Sequence, residues 1–212
     1  MTDCSLISTK MSSYGLTARV VLEEKGVPYR HDIIEPDEIK SPDYLRQHHP
    51  FGMMPAFSHG SFHLFETAAI ARYVDEAFDG PRLQPEDPKA RAQMQKWISI
   101  SDNYIYPAVI SDLVLQRLAP RLSGTAADES VVASAIPKVQ VQLDLLEATL
   151  ADWDFLIGDV SLADFFAASM VQYVGLTPEG AGLLGDKPRV SKWLASVTGR
   201  PSYANASYDL GL

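Results

Sequence analysis

Sulfur available for crosslinking is almost missing from this sequence. One cysteine, Cys4, stands among 212 residues. That excludes an internal disulfide framework and a Cys-rich zinc site, and it points to a reducing, cytoplasmic compartment. Positive charge is scarce too: 18 Lys and Arg against 27 Asp and Glu leave a net charge of −9. Nucleic acid is therefore not expected as the main partner, because phosphate binding needs a basic face. A small anion can still be held locally at a helix N-terminus. No apolar run approaches the roughly 18 residues of a membrane span. Met1 to Leu6 lacks the basic and apolar regions of a secretory signal. His48 and His49 are adjacent, so they cannot share a helix face as ligands at i and i+4 would, and no metal site is expected. Internal repeats and low-complexity tracts are also missing.

What is present is the balance of a globular chain, 46% hydrophobic and 21% charged, long enough for one large domain or two small ones. Cys4 to Ser8 reads as a short buried strand. Leu16, Val20 and Val21 repeat at helical spacing as far as Gly26, a helix stop. Pro28 to Ile34 alternates as a second strand. Ser41-Pro42-Asp43 opens a helix with Tyr44 and Leu45 on its buried side. Pro55 to Phe57 and Phe62 to Phe65 flank a hairpin turn at Ser58 to Ser61. Ile70, Tyr73, Val74 and Ala77 mark one face of the next helix. The order β-α-β-α-β-β-α implies parallel strands at the start and an antiparallel edge.

Residues 80–88 hold three prolines and little apolar content, which places a linker at 80–87 between a domain at 1–79 and a second at 88–212. Beyond it only helical patterns occur. Met94, Ile98, Ile105, Val109 and Leu113 define a long helix. A second spans Asp128 to Ala151, with a kink or break expected near Pro137, and Val139, Leu143, Leu146 and Leu150 as its core face. Ser161-Leu162-Ala163-Asp164 is a capping box ahead of an apolar helix, Phe165 to Val174. A last helix opens at Lys187-Pro188 and is ended by Gly199-Arg200-Pro201.

Four motifs stand in order along the chain. Leu22-Glu23-Glu24-Lys25-Gly26-Val27-Pro28-Tyr29 ends the first helix and starts the second strand. His49-Pro50-Phe51-Gly52-Met53-Met54-Pro55-Ala56-Phe57 is followed by Phe65-Glu66-Thr67-Ala68-Ala69-Ile70-Ala71-Arg72-Tyr73. Phe155 to Asp159 with Ser161 to Asp164, and then Arg200-Pro201 after a Trp-Leu helix, complete the set. Together they resemble the glutathione transferase superfamily, bacterial-type cytosolic members included, over residues 5–201. The resemblance implies a thioredoxin-like α/β N-terminal domain followed by an all-α C-terminal domain, and a homodimer. It implies glutathione as co-substrate, conjugated to small electrophiles in detoxification. A glutathione-dependent isomerase or dehalogenase, and a non-catalytic binding or regulatory protein on the same fold, are the alternatives.

A proline opening a strand, at Met54-Pro55, suggests a cis bond. In the family that proline is cis, and it frees the N–H and C=O of the preceding residue, here Met54, to pair with a peptide laid alongside. Thr67, at the start of a helix, can bind a carboxylate; the resemblance makes this the γ-glutamyl carboxylate and sets Glu66 against the ligand's ammonium. The thiol must be used as thiolate, so one donor at a helix N-terminus is needed. Ser12, Ser13 and Tyr14 are the candidates. Counting back six residues from Val20, as in Ser- and Cys-type members, lands on Tyr14; a one-residue slip lands on Ser13. Where related transferases carry Lys or Gln for the glycine carboxylate, this chain has Met53. Lys40 is the nearest substitute for a histidine found in plant-type classes. Tyr104 and Tyr106 are candidates for a second-substrate pocket.

Overall fold

The computed structural model describes residues 3–122 and 124–209, with the backbone alone described at 119, 121 and 122. The chain divides into two compact units, Met1–Gln84 with Arg200–Leu212, and Pro85–Gly199. In the first, β1 (Cys4–Ser8), α1 (Ser13–Glu24), β2 (Tyr29–Ile33), α2 (Pro42–Gln47), β3 (Ala56–His59), β4 (Phe62–Phe65) and α3 (Thr67–Ala77) follow in the order that periodicity predicts. A short 3-10 turn, Pro36–Lys40, precedes α2. The strands lie in the order β2-β1-β3-β4, with β1 and β2 parallel and the other pairs antiparallel. This is a thioredoxin-like sheet. Cys4, Leu6 and Ser8 alternate inward along β1, as a period of two requires. On α3, Ile70 and Val74 are buried, whereas Ala77 is exposed. Lys25 and Asp75 form a buried ion pair at 3.2 Å. Asp75 also accepts from the Leu83 N–H and the Gln84 amide, and such extra bonds offset the cost of burying the charges.

The second unit is helical. Asp87 caps α4 (Pro88–Ile100) by accepting from the Ala90 N–H. The expected long helix is present, but in three windings: α4, a π-helical stretch over Ser101–Val114, and α5 (Leu115–Leu122). Pro107 lies inside the π stretch. A proline has no N–H and its ring crowds the preceding turn, which a wider winding accommodates. Of the kink or break expected at Pro137, the break does not occur: α6 (Glu129–Thr149) runs through it. Its buried Val139, Leu143 and Leu146 hold the helix by tertiary packing, which outweighs one lost hydrogen bond. The core of the unit is α7 (Leu162–Val171), buried along its whole length. Two more helices follow, α8 (Gly180–Gly185) and α9 (Pro188–Thr198).

The helices do not end at Pro201 as expected. Pro201 instead opens α10 (Pro201–Ala206), proline being preorganised for a first helical position. This helix packs on α1 of the first unit. Glu24 of α1 accepts from Arg200 at 2.6 and 2.8 Å and from the Ser202 hydroxyl. Covered by the sheet, α3 and α10, α1 buries Leu16, Ala18, Val20, Val21 and Leu22, and even Arg19.

Candidate functional site

Strand register brings three loops to one edge of the sheet. Ile7 pairs with Ala56, and Ala56 with Phe65. The segments just beyond these residues therefore emerge side by side: Ser8 to Tyr14 after β1, Met53 to Pro55 before β3, and Glu66-Thr67 after β4.

The Met54–Pro55 bond is cis. The Thr9 N–H lies 3.3 Å from the Met54 sulfur, which ties this loop to the one after β1. The Tyr44 hydroxyl donates to the Met53 carbonyl at 2.7 Å; burial pushes that phenol up to about 12. Among the described residues the Met54 backbone N–H and C=O pair with no other backbone group. Gly52 makes the turn possible. Its φ is +61°, and a Cβ there would stand 3.0 Å from the Ile39 carbonyl and 3.2 Å from Leu45. Lys40 is exposed, and its stem lies 3.6 Å from the same point. Met53 is 58% exposed and offers the side-chain donor of neither Lys nor Gln.

Glu66 sits at φ +72° and ψ 114°, a left-handed backbone that non-glycine residues rarely hold and that costs about 1–3 kcal/mol. It stands at the N-cap of α3, yet its side chain makes no capping bond. Among the described residues no protein group accepts from the first N–H groups of α3. Thr67, which opens the helix, is buried. Capping alone therefore does not account for Glu66; an uncapped helix end is a place for an anion. Sequence reasoning set His49 aside as a metal ligand and gave it no role at this site. It is buried, its Nε2 lies 3.8 Å from the Glu66 carboxylate, and its ring leans on Phe65 at 4.7 Å. Burial holds this imidazole below the usual histidine range, against the opposing charge of Glu66.

The loop after β1 ends at Ser12, the N-cap of α1. Its Oγ accepts from the Gly15 N–H at 2.9 Å, which leaves the hydroxyl proton available to donate. Ser12 is half-buried. Ser13 is buried, and its Oγ has no partner among the described residues; its carbonyl accepts from Thr17. Tyr14 is half-buried in the first turn of α1. Tyr104 and Tyr106 belong to the second unit. Tyr104 is 64% exposed and lines an open cleft of about 570 Å³ with Ile100, Pro107, Val141 and Leu145. Tyr106 is half-buried outside that cleft, its phenol raised by burial against a hydrogen bond with Ser111. Among the described residues no group of three or more His, Cys, Asp or Glu could hold a metal, and no helix is long and apolar enough to cross a membrane.

A thioredoxin-like sheet with a cis-proline loop and an uncapped helix end, joined in one chain to an all-helical unit, defines a two-unit α/β plus all-α class of fold. Comparison with known proteins narrows it. The family model described as glutathione S-transferase, N-terminal domain, matches residues 11–77, and that of the C-terminal domain matches residues 97–201. A probable glutathione S-transferase GSTF2 of Oryza sativa subsp. japonica is 33% identical over 187 residues, covering 86% of this chain and 85% of the relative. Glutathione transferase F7 from Populus trichocarpa superposes with a TM-score of 0.87 at 27% identity, over 96% and 97% of the two chains. A glutathione S-transferase-I structure bound with lactoylglutathione gives 0.86 at 30% identity, over 97% and 98%. The chain belongs to the glutathione S-transferase family.

Proposed function

We propose that this protein is a glutathione transferase that conjugates the thiolate of glutathione to small electrophiles. The observation that carries the reading is the convergence of three groups at one end of the sheet: the Met54 backbone, which pairs with no other backbone group among the described residues, the N-terminus of α3 at Thr67, where Glu66 makes no capping bond, and the Ser12 hydroxyl, whose proton is left to donate at the N-terminus of α1. They match the three parts of the tripeptide. The cysteinyl backbone pairs with Met54 beside Pro55 as an added strand. The γ-glutamyl carboxylate lies on the Thr67 end of α3, with Glu66 against the ammonium. Lys40, whose stem lies beside Gly52, takes the glycine carboxylate.

For the thiolate, the geometry favours Ser12 as donor. The Ser13 hydroxyl is buried and the Ser12 proton is free, whereas the case for Tyr14 rests on counting from Val20. The positive end of α1 adds a favourable field for the anion. The second substrate is apolar, with Tyr104 and Tyr106 as candidates for its pocket. Calorimetry with glutathione, followed by turnover of a chlorodinitrobenzene-type electrophile, tests the reading. Binding that Glu66→Ala weakens, together with conjugation, supports it. Binding without turnover across an electrophile panel would favour a non-catalytic glutathione-binding protein, which the missing donor at Met53 also favours.

A homodimer is part of the same reading. Phe51 is 71% exposed in the loop before β3, a surface that a second copy would cover. The buried, unpaired Cys4 is consistent with a cytoplasmic location.

A further inference from the structure

Ser8, the last residue of β1, is wholly buried and takes no part in the proposed ligand contacts. Its Oγ lies 2.8 Å from His31 Nε2 on β2. The other ring nitrogen, Nδ1, lies 2.8 Å from the Tyr208 hydroxyl, a residue 177 positions later in the chain. Arg19 of α1 closes the cluster. Its Nη1 donates to Ser8 Oγ at 3.2 Å, its Nε to the Ala206 carbonyl at 2.9 Å and its Nη2 to the Lys10 carbonyl at 3.5 Å. The guanidinium also stands 5.1 Å from the centre of the Tyr208 ring, with Lys10 at 5.8 Å.

This cluster touches the underside of the α1 turn. A Cβ added at Gly15 would lie 2.4 Å from Ser8 Oγ and 3.1 Å from Ser12 Cβ. The Ser8 hydroxyl therefore presses directly on the residue whose N–H is bound by Ser12 Oγ. One packed path runs Tyr208, His31, Ser8, Gly15, Ser12; a second runs from the Ala206 carbonyl through Arg19 to Lys10, at the start of the same loop. We propose that Tyr208 and His31 are positioning residues that, through Ser8 and Arg19, fix the Ser12 turn and so set how readily bound glutathione gives up its thiol proton. The proposal rests on the functional reading above. It assigns the C-terminal segment a task at the active site of its own unit. The charged groups facing His31 are Arg19 of α1 and Asp32 of its own strand, and burial with the Arg19 charge holds the imidazole down at about 4. The ring is neutral near pH 7, so it links two hydroxyls without adding a second cation beside Arg19. A ring with one N–H and one bare nitrogen can do this; two N–H groups could not accept from either hydroxyl.

The test uses the full chain with Tyr208→Phe, which deletes one hydroxyl and keeps the ring over Arg19, and with His31→Gln and Ser8→Ala. Small displacements of a reacting geometry cost up to about 100-fold. The expected result is a fall in kcat of about tenfold with KM for glutathione within about twofold, the pattern of an interaction felt in the transition state. The pH at which bound glutathione ionises should rise. Adding Tyr208→Phe to Ser8→Ala should cause little further loss, because both act along one path. Unchanged kcat and unchanged thiol ionisation in folded Tyr208→Phe would overturn the proposal, as would fully additive losses. Failure of the functional reading itself shows separately, as an unaltered protein that binds no glutathione at millimolar concentration, and that result would overturn this proposal as well.

Discussion

Ser12, Ser13 and Tyr14 share one turn, and burial separates the serines: one hydroxyl is half-buried at the helix cap, the other enclosed without a partner. Removing a single donor to a developing anion costs about 2–4 kcal/mol, roughly 30- to 1000-fold in rate. Ser12→Ala is expected to lose that much turnover and to raise the pH at which bound glutathione ionises, with Ser13→Ala near wild type. If Tyr14→Phe shows the loss and Ser12→Ala does not, the register counted back from Val20 identifies the donor. Glu66 supports a second prediction. Its φ of +72° is a conformation that glycine holds without strain. Glu66→Gly should therefore leave the unfolding midpoint unchanged or raise it while weakening glutathione binding, as read by denaturation and calorimetry. A variant that is both less stable and unimpaired in binding would mean that Glu66 is structural. The residue types of the site were legible in the sequence, because a proline before a strand and an acid before a helix have local meanings. The strained backbone at Glu66 was not legible, since nothing in glutamate's chemistry favours φ > 0. Nor were the contacts of His49, and of His31 with Tyr208, whose partners come from distant parts of the chain.

Elements with a strong period could be read directly: all four strands, and the core faces through Met94, Ile98, Ile105, Val109 and Leu113, which are buried as expected. Short elements escaped, because α8 and α10 span about a turn and a half each, too little to display a period. At Pro137 a kink or a break is expected; the helix is not broken, because packing of the α6 core face outweighs local propensity. The capping box is the firmest element-scale reading. Asp164 is fully buried and accepts from the N–H groups of Ser161 and Leu156, the Ser161 hydroxyl and the Trp193 indole. One carboxylate thus ties the start of α7 to the preceding loop and to α9. Asp164→Ala would leave several buried donors unmet at about 1–3 kcal/mol each. A loss of at least about 3 kcal/mol is expected from urea unfolding, and a loss under about 1 kcal/mol would show that water replaces the carboxylate easily.

For the molecule as a whole, acid is the informative stress. His31 is held at about 4 in the fold, against 6.5 for a free imidazole. Between those values the unfolded chain takes up a proton that the folded chain refuses, so this contribution to stability is complete above about pH 6.5 and is lost as pH falls toward 4. Burial alone would raise the Glu24 carboxyl, but its bonds from Arg200 and Ser202 more than offset that and leave it lowered. Its contribution is likewise present above the unfolded carboxylate value and is lost at lower pH, where α10 would loosen from α1. Thermal melts of the wild type and His31→Gln should converge as pH drops through 6.5 to 4; parallel curves would contradict the assignment. The central claim, that the sheet edge binds glutathione and the N-terminus of α1 ionises its thiol, is tested most directly by titrating the thiolate absorbance of the saturated complex. The account predicts ionisation well below the roughly 8.5 of a free thiol, moved back toward that value by Ser12→Ala. A bound thiol that titrates like free glutathione would contradict it.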